Sequence, residues 1–192
     1  RIELKLPAEK KIMGVLGRIA PTKGQFHVVK AFSKMSQNHP DLDLLIMGEP
    51  TINEEQCVKY DKDIKEFVNE NKLESRVHFR PFRKEVEQFY SAADIFIMSS
   101  KKETYGMVTI EALLSEIPVI GTSTGGTYEL LESGEIGQLY EFENIDDLIQ
   151  KIENILLDKY NFSDQIKKAK SIAKAKYDKK SMCEAYEALL VK

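Results

Sequence analysis

Three segments of this 192-residue chain carry residue types suited to a phosphorylated, hydroxyl-rich ligand. The first is Gly17-Arg18-Ile19-Ala20-Pro21-Thr22-Lys23-Gly24, two glycines and two cations just ahead of a stretch with helical spacing. Free N–H groups at a helix start attract phosphate, and an Arg with a Lys can neutralise a diphosphate. A solvated basic turn would have the same composition. The spacing excludes two familiar phosphate loops. Gly14, Gly17 and Ala20 do not make G-x-G-x-x-G, and Lys23 is followed by Gly24, with the wrong spacing for a P-loop.

The second segment is Ser99-Ser100-Lys101-Lys102-Glu103-Thr104-Tyr105-Gly106, running into the apolar stretch Met107 to Leu114. Glu111 stands alone in that stretch, which predicts a largely buried helix. A buried carboxylate costs on the order of several kcal/mol unless it is paired or hydrogen-bonded. Two vicinal ribose hydroxyls would supply two donors, and an internal Arg or Lys would serve as well. Glu103, in the loop before the helix, is placed to face the same cleft. The backbone N–H groups of Tyr105, Gly106, Met107 and Val108 sit at the helix start, where a phosphate is favoured, and Gly106 permits close approach.

The third segment is Thr122-Ser123-Thr124-Gly125-Gly126-Thr127-Tyr128-Glu129. Its Gly-Gly pair marks a tight turn beside the cleft. Glu129 is expected in the first helical turn, where the helix dipole suffices to explain a carboxylate. Two further exits, Met47-Gly48-Glu49-Pro50 and Phe79-Arg80-Pro81-Phe82, complete the set. Backbone groups near Arg80 suit a base edge; a core Phe79, a surface Arg80 and a turn at Gly48 are the plain alternatives. The sequence offers no Ser-His-Asp set and no catalytic Cys-His pair, and Asp61 with Asp63 reads as a solvated pair on a charged helix.

The elements that must position these residues follow from hydrophobic periodicity. Short aliphatic runs predict buried strands at Ile12 to Leu16, Leu42 to Met47, Val77 to Phe79, Ile95 to Met98, Val119-Ile120 and Gln138 to Phe142. Helical spacing lies between them at Phe26 to Met35, Glu54 to Asn71, Lys84 to Ala92, Met107 to Ser115 and Asp146 to Leu157. Such alternation predicts an α/β, Rossmann-like doubly wound parallel sheet, whose ligands sit beyond the carboxyl ends of the strands. Extra C-terminal helices are expected at Ser163 to Tyr177 and Ser181 to Val191.

The division expected is a linker over 1–10 arriving from elsewhere, a Rossmann-like domain over 11–160, and closing helices over 161–192. With 28 Lys+Arg against 31 Asp+Glu the charge is −3, which argues against nucleic-acid binding. Two distant cysteines and three histidines argue against a metal or disulfide framework. A reduced, cytoplasmic protein is expected, soluble or peripheral at the inner membrane face.

Taken in order, several segments resemble the C-terminal domain of GT-B glycosyltransferases of family 4 (group 1). They are Gly17-Arg18 with Lys23-Gly24, Leu45-Ile46-Met47-Gly48-Glu49, Arg76-Val77-His78-Phe79, and Phe89-Tyr90-Ser91-Ala92-Ala93-Asp94. Ser100, Glu103 and Glu111 in E-x7-E spacing, Ile117-Pro118-Val119-Ile120, and Gly125-Gly126 through Glu129 complete the likeness. The resemblance implies retaining, metal-independent transfer of a hexose-like group from a nucleotide-diphosphate sugar, with no other cofactor. It also implies that the linker over 1–10 arrives from an N-terminal domain and that 11–160 binds a nucleotide sugar. Arg18 and Lys23, beside Gly17, would hold the diphosphate and Glu103 would face the sugar. Glu111 would bind the ribose, with the Tyr105 to Val108 backbone beside sugar and phosphate and the Arg80 stretch beside the base. The acceptor, a glycan or lipid-linked molecule, would come through the N-terminal domain, so this piece alone is expected to be inactive. A non-catalytic nucleotide-sugar-binding module and a GT-B-type epimerase are the alternatives. The sequence departs from the family where Glu116 stands at a frequent Gly, Ser99 at a common Pro and Tyr105 at a common Phe.

Overall fold

The computed structural model describes residues 1–158, 162–178, 180, 183 and 187. Six parallel strands form one sheet: β1 (Lys11–Leu16), β2 (Leu42–Met47), β3 (Val77–Arg80), β4 (Ile95–Met98), β5 (Val119–Thr122) and β6 (Gln138–Tyr140). Their order is β3-β2-β1-β4-β5-β6. The chain therefore winds outward from β1 to one edge, returns to β4, and winds to the other edge. The expected doubly wound sheet is the one found.

Among the described residues, seven α-helices cover its faces: α1 (Gln25–Met35), α2 (Glu55–Glu70), α3 (Glu87–Ala92), α4 (Met107–Leu114), α5 (Gly125–Leu130), α6 (Ile145–Leu156) and α7 (Phe162–Tyr177). Alternate strand residues feed two separate cores. Met13, Val15, Leu44, Ile46 and Ile97 pack with Val28, Phe32, Ile64 and Ile152 from α1, α2 and α6. Ile12, Leu16, Leu45, Phe96 and Met98 pack with Phe89, Leu113 and Ala169 from α3, α4 and α7. Both faces being covered explains why the strands read as unbroken apolar runs.

Three local readings are corrected. β6 ends at Tyr140 rather than Phe142, because its partner strand ends at Thr122 and leaves nothing to pair with. α3 begins at Glu87 rather than Lys84, after a turn in which the Val86 N–H donates to the Lys84 carbonyl. α5 begins at Gly125, so the glycine pair opens a helix and Glu129 lies beyond its first turn, exposed. The helix expected over Ser181 to Val191 lies outside the described residues, apart from single positions.

The opening segment is packed onto the domain. Leu4 and Leu6 are buried in the second core, and Arg1 donates to Asp94 at 2.6 Å and to the carbonyl of Lys10 at 2.7 Å. One polar cluster was not anticipated from the sequence. Asp43, 2% exposed near the start of β2, accepts from His78 at 2.8 Å and faces Arg76 at 3.4 Å. Arg76 also donates to the carbonyls of Ser36, His39 and Leu42, tying β2, β3 and the end of α1 together.

Candidate functional site

In this topology the sheet changes winding direction between β1 and β4, and the loops leaving those strands part to leave a crevice. A cavity of about 390 Å³ occupies that position. The loop after β1 contributes Gly17, Arg18 and Lys23; the loop after β4 contributes Ser99, Ser100, Glu103 and Tyr105. Gly106, Met107 and Val108, at the start of α4, form the far wall.

The two loops are bonded to each other. Ser99 Oγ donates to the Lys23 carbonyl at 2.7 Å, and the Lys101 N–H donates to the Thr22 carbonyl at 2.9 Å. Gly24, with φ +68°, lies directly against the Ser99 carbonyl: a Cβ there would meet that oxygen at 2.1 Å. The loop after β5 braces the other side. Thr122 Oγ1 and Thr124 Oγ1 donate to the carbonyls of Ser100 and Lys101, and the Gly126 N–H donates to the Glu103 carbonyl at 2.8 Å. The glycine pair allows this contact, since a Cβ on Gly126 would sit 2.7 Å from the Thr104 carbonyl.

Within the cavity Lys23 Nζ meets Glu103 Oε2 at 2.8 Å, and the Glu103 side chain is 17% exposed. Burial pushes the Glu103 carboxyl up. The hydrogen bond and charge of Lys23, the Thr104 N–H and the Ser100 hydroxyl outweigh it, so the carboxyl is held below its usual range. Arg18 is looser, 51% exposed, with Nη1 3.3 Å from both Thr51 Oγ1 and Glu54 Oε1. Both cations thus rest on carboxylates that an incoming anion can displace. Gly106 is the N-cap of α4 and provides no side-chain acceptor, so first-turn N–H groups are left at the cavity wall.

Glu111 and Arg80 fall elsewhere. Glu111 is half-buried, because Met107, Glu111 and Leu114 share the open side of α4 while Ile110, Ala112 and Leu113 face the core. Its partner is neither Arg nor Lys but the Tyr90 hydroxyl, which donates to Glu111 Oε2 at 2.7 Å. Burial raises the Tyr90 hydroxyl far above its ordinary value, and the Glu111 hydrogen bond and charge add to that. Replacing Tyr90 with Phe should cost about 1.5–3 kcal/mol, the net worth of a hydrogen bond to a charged group. Chemical denaturation checks it, and an unchanged midpoint would show that the bond contributes nothing.

Arg80 turns toward the opening segment. Its guanidinium donates to the carbonyls of Leu4 at 2.6 Å, Phe79 at 2.7 Å and Lys5 at 3.1 Å. Arg80 lines a separate hollow with Gly48, Glu49, Asp61 and Lys65, so only its backbone is left for a base. Glu116 has φ +58°, the left-handed conformation that favours glycine, and its carboxylate pairs with Lys170 on α7.

A cation-bearing crevice at the switch point of a six-stranded parallel sheet defines a Rossmann-like domain of the nucleotide-binding kind. The chain belongs to the glycosyl transferases group 1 family, whose profile matches residues 1–178. It is 32% identical over 129 residues to mannosylfructose-phosphate synthase of Agrobacterium fabrum, covering 66% of this chain and 28% of that protein. It is 27% identical over 188 residues to trehalose synthase of Thermococcus litoralis, covering 95% of this chain and 44% of that protein. The Anabaena protein HepE, solved with UDP and glucose, superposes with TM-score 0.87 at 26% identity, over 96% of this chain and 49% of that one. The C-terminal domain of a Francisella tularensis group 1 glycosyl transferase superposes with TM-score 0.82 at 25% identity, covering 93% of this chain and 91% of that one. The architecture is that of the C-terminal half of a GT-B glycosyltransferase, and the chain spans less than half the length of the curated relatives named here. Among the described residues no helix is long and apolar enough to cross a membrane.

Proposed function

We propose that this chain is the donor-binding half of a retaining family 4 glycosyltransferase that transfers a hexosyl group from a nucleotide-diphosphate sugar without a metal ion. The observation that carries this is the meeting of Arg18, Lys23, Glu103 and the α4 N-terminus in one cavity at the switch point. In the reaction, the bond from the sugar's anomeric carbon to the diphosphate oxygen breaks. The acceptor oxygen bonds the same face of that carbon, and its proton passes to the departing phosphate. Arg18, Lys23 and the first-turn N–H groups of α4 stabilise the charge that grows on the leaving diphosphate. Glu103, kept ionised, orients the sugar; Glu111 takes the ribose hydroxyls in exchange for, or beside, its Tyr90 partner.

Acceptor contacts belong to an N-terminal domain, so the isolated chain binds donor without turning it over. A base at the backbone near Arg80 would take the ligand beyond this cavity, toward the separate hollow that Arg80 lines. HepE, whose structure holds UDP and glucose, supports a uridine donor as the first one to try.

The test is a thermal shift of this chain with UDP, GDP, ADP and CMP at millimolar concentration, repeated for Arg18→Ala and Glu111→Ala. A ligand bound only by the native state stabilises it by RT ln(1 + [L]/Kd). One diphosphate should raise the transition, and both variants should lose most of that rise. A shift that persists undiminished in both would place the ligand elsewhere and sink the reading.

A further inference from the structure

The Arg18 loop is held by a side chain that the functional reading leaves unused. Gln25, the first residue of α1, is 1% exposed and lies in the wall of the switch-point cavity. Its Nε2 donates to the Arg18 carbonyl at 2.8 Å, while its Oε1 is buried and has no hydrogen-bond partner. A buried amide with one end unmet is a poor way to fill a wall, since Leu or Met would fill it without stranding an acceptor. The one bond the side chain makes is therefore what it contributes.

That bond is to the backbone. The Arg18 guanidinium, resting on Thr51 and Glu54, must leave those partners to reach a ligand. The Gln25–Arg18 bond is untouched by such a swing. It fixes the point from which the side chain rotates, and it ties that point to the first turn of the helix that follows Lys23. Both cations are then held at a set spacing.

We infer that Gln25 is a positioning residue, which clamps the Arg18 backbone so that Arg18 and Lys23 meet a diphosphate together. This rests on the donor-site reading above. Gln25→Leu removes the clamp and also the stranded acceptor. The melting temperature should therefore hold or rise, while UDP or GDP affinity by calorimetry falls about tenfold. A merely structural role would lower both together. In an Arg18→Ala background the same substitution should change affinity less than twofold, because the clamp acts through Arg18; in a Glu111→Ala background the tenfold loss should remain. Gln25→Glu is the second variant. Its carboxylate repels the Arg18 carbonyl, and its protonated form restores a donor, so affinity relative to wild type should recover as the pH is lowered.

Unchanged affinity in Gln25→Leu, affinity and melting temperature falling together, or an equal tenfold loss in both backgrounds would overturn the inference. Failure of the donor-site reading looks different. The unmodified chain would then bind neither UDP nor GDP at millimolar concentration, before any variant is made.

Discussion

Gly24→Ala is expected to destabilise this chain by about 2–4 kcal/mol and to remove most of its diphosphate affinity. The stability part has two sources. At φ +68° an alanine is strained by about 1 kcal/mol where glycine is not. The new Cβ would also stand 2.1 Å from the Ser99 carbonyl, so strand end and loop must separate, an overpacking cost of about 1–3 kcal/mol. For a domain of this size the sum corresponds to a melting temperature lower by roughly 5–15 °C. The functional part follows from what separates. Lys23 precedes Gly24, and Ser99 leads into the loop that carries Glu103. Driving them apart breaks the Ser99–Lys23 bond and widens the gap that a diphosphate must span. Calorimetric melting with and without UDP checks both parts. A variant with an unchanged melting temperature and full ligand response would show that the contact relaxes freely.

The second large effect is at Lys23. Lys23→Ala should weaken diphosphate binding by about a hundredfold, more than the roughly 1.5–3 kcal/mol of one charge-assisted hydrogen bond at its lower end. The excess comes from Glu103. With Lys23 gone, its carboxylate stays in the cavity at 17% exposure with no cation against it, and repels the incoming phosphate. The double variant Lys23→Ala with Glu103→Gln should therefore bind UDP more tightly than Lys23→Ala alone. Purely additive losses would mean that Glu103 and the phosphates do not sense one another.

Much of this cleft was legible in the sequence because each part is local. Arg18 and Lys23 flank a glycine loop after an apolar strand, Glu103 follows the next central strand, and Tyr105 to Val108 open a helix. Given strand–helix alternation, winding rules bring these segments to one crevice, and the structure places them there. What was not legible depends on contacts across long separations. Tyr90 is the partner of Glu111, yet nothing near Glu111 in the sequence points to a tyrosine on α3. Asp43 interrupts an apolar run and is satisfied by Arg76 and His78, brought beside it only by pairing of β2 with β3. The place of Arg80 at a strand exit is legible, but the direction of its guanidinium is set by the opening segment, which has no periodicity to read. Gln25 is not legible as a site residue because a polar residue in a first helical turn is ordinarily solvated, and only the folded chain shows it buried.

The bonds that join the β1 and β4 loops, and those that brace the latter from β5, have a thermodynamic consequence. The walls of the cleft are linked into one body before anything binds. A ligand entering it orders a few side-chain torsions rather than a loop, so little conformational entropy is lost on association. Lys23 and Glu103 already hold each other in place, and an anion that takes over the lysine inherits an ammonium group whose rotamer freedom has been spent in folding. On the donor-site proposal above, selectivity among nucleotides would then arise at the rim of the cavity, where Tyr105 is half-exposed, and not from closure of its centre.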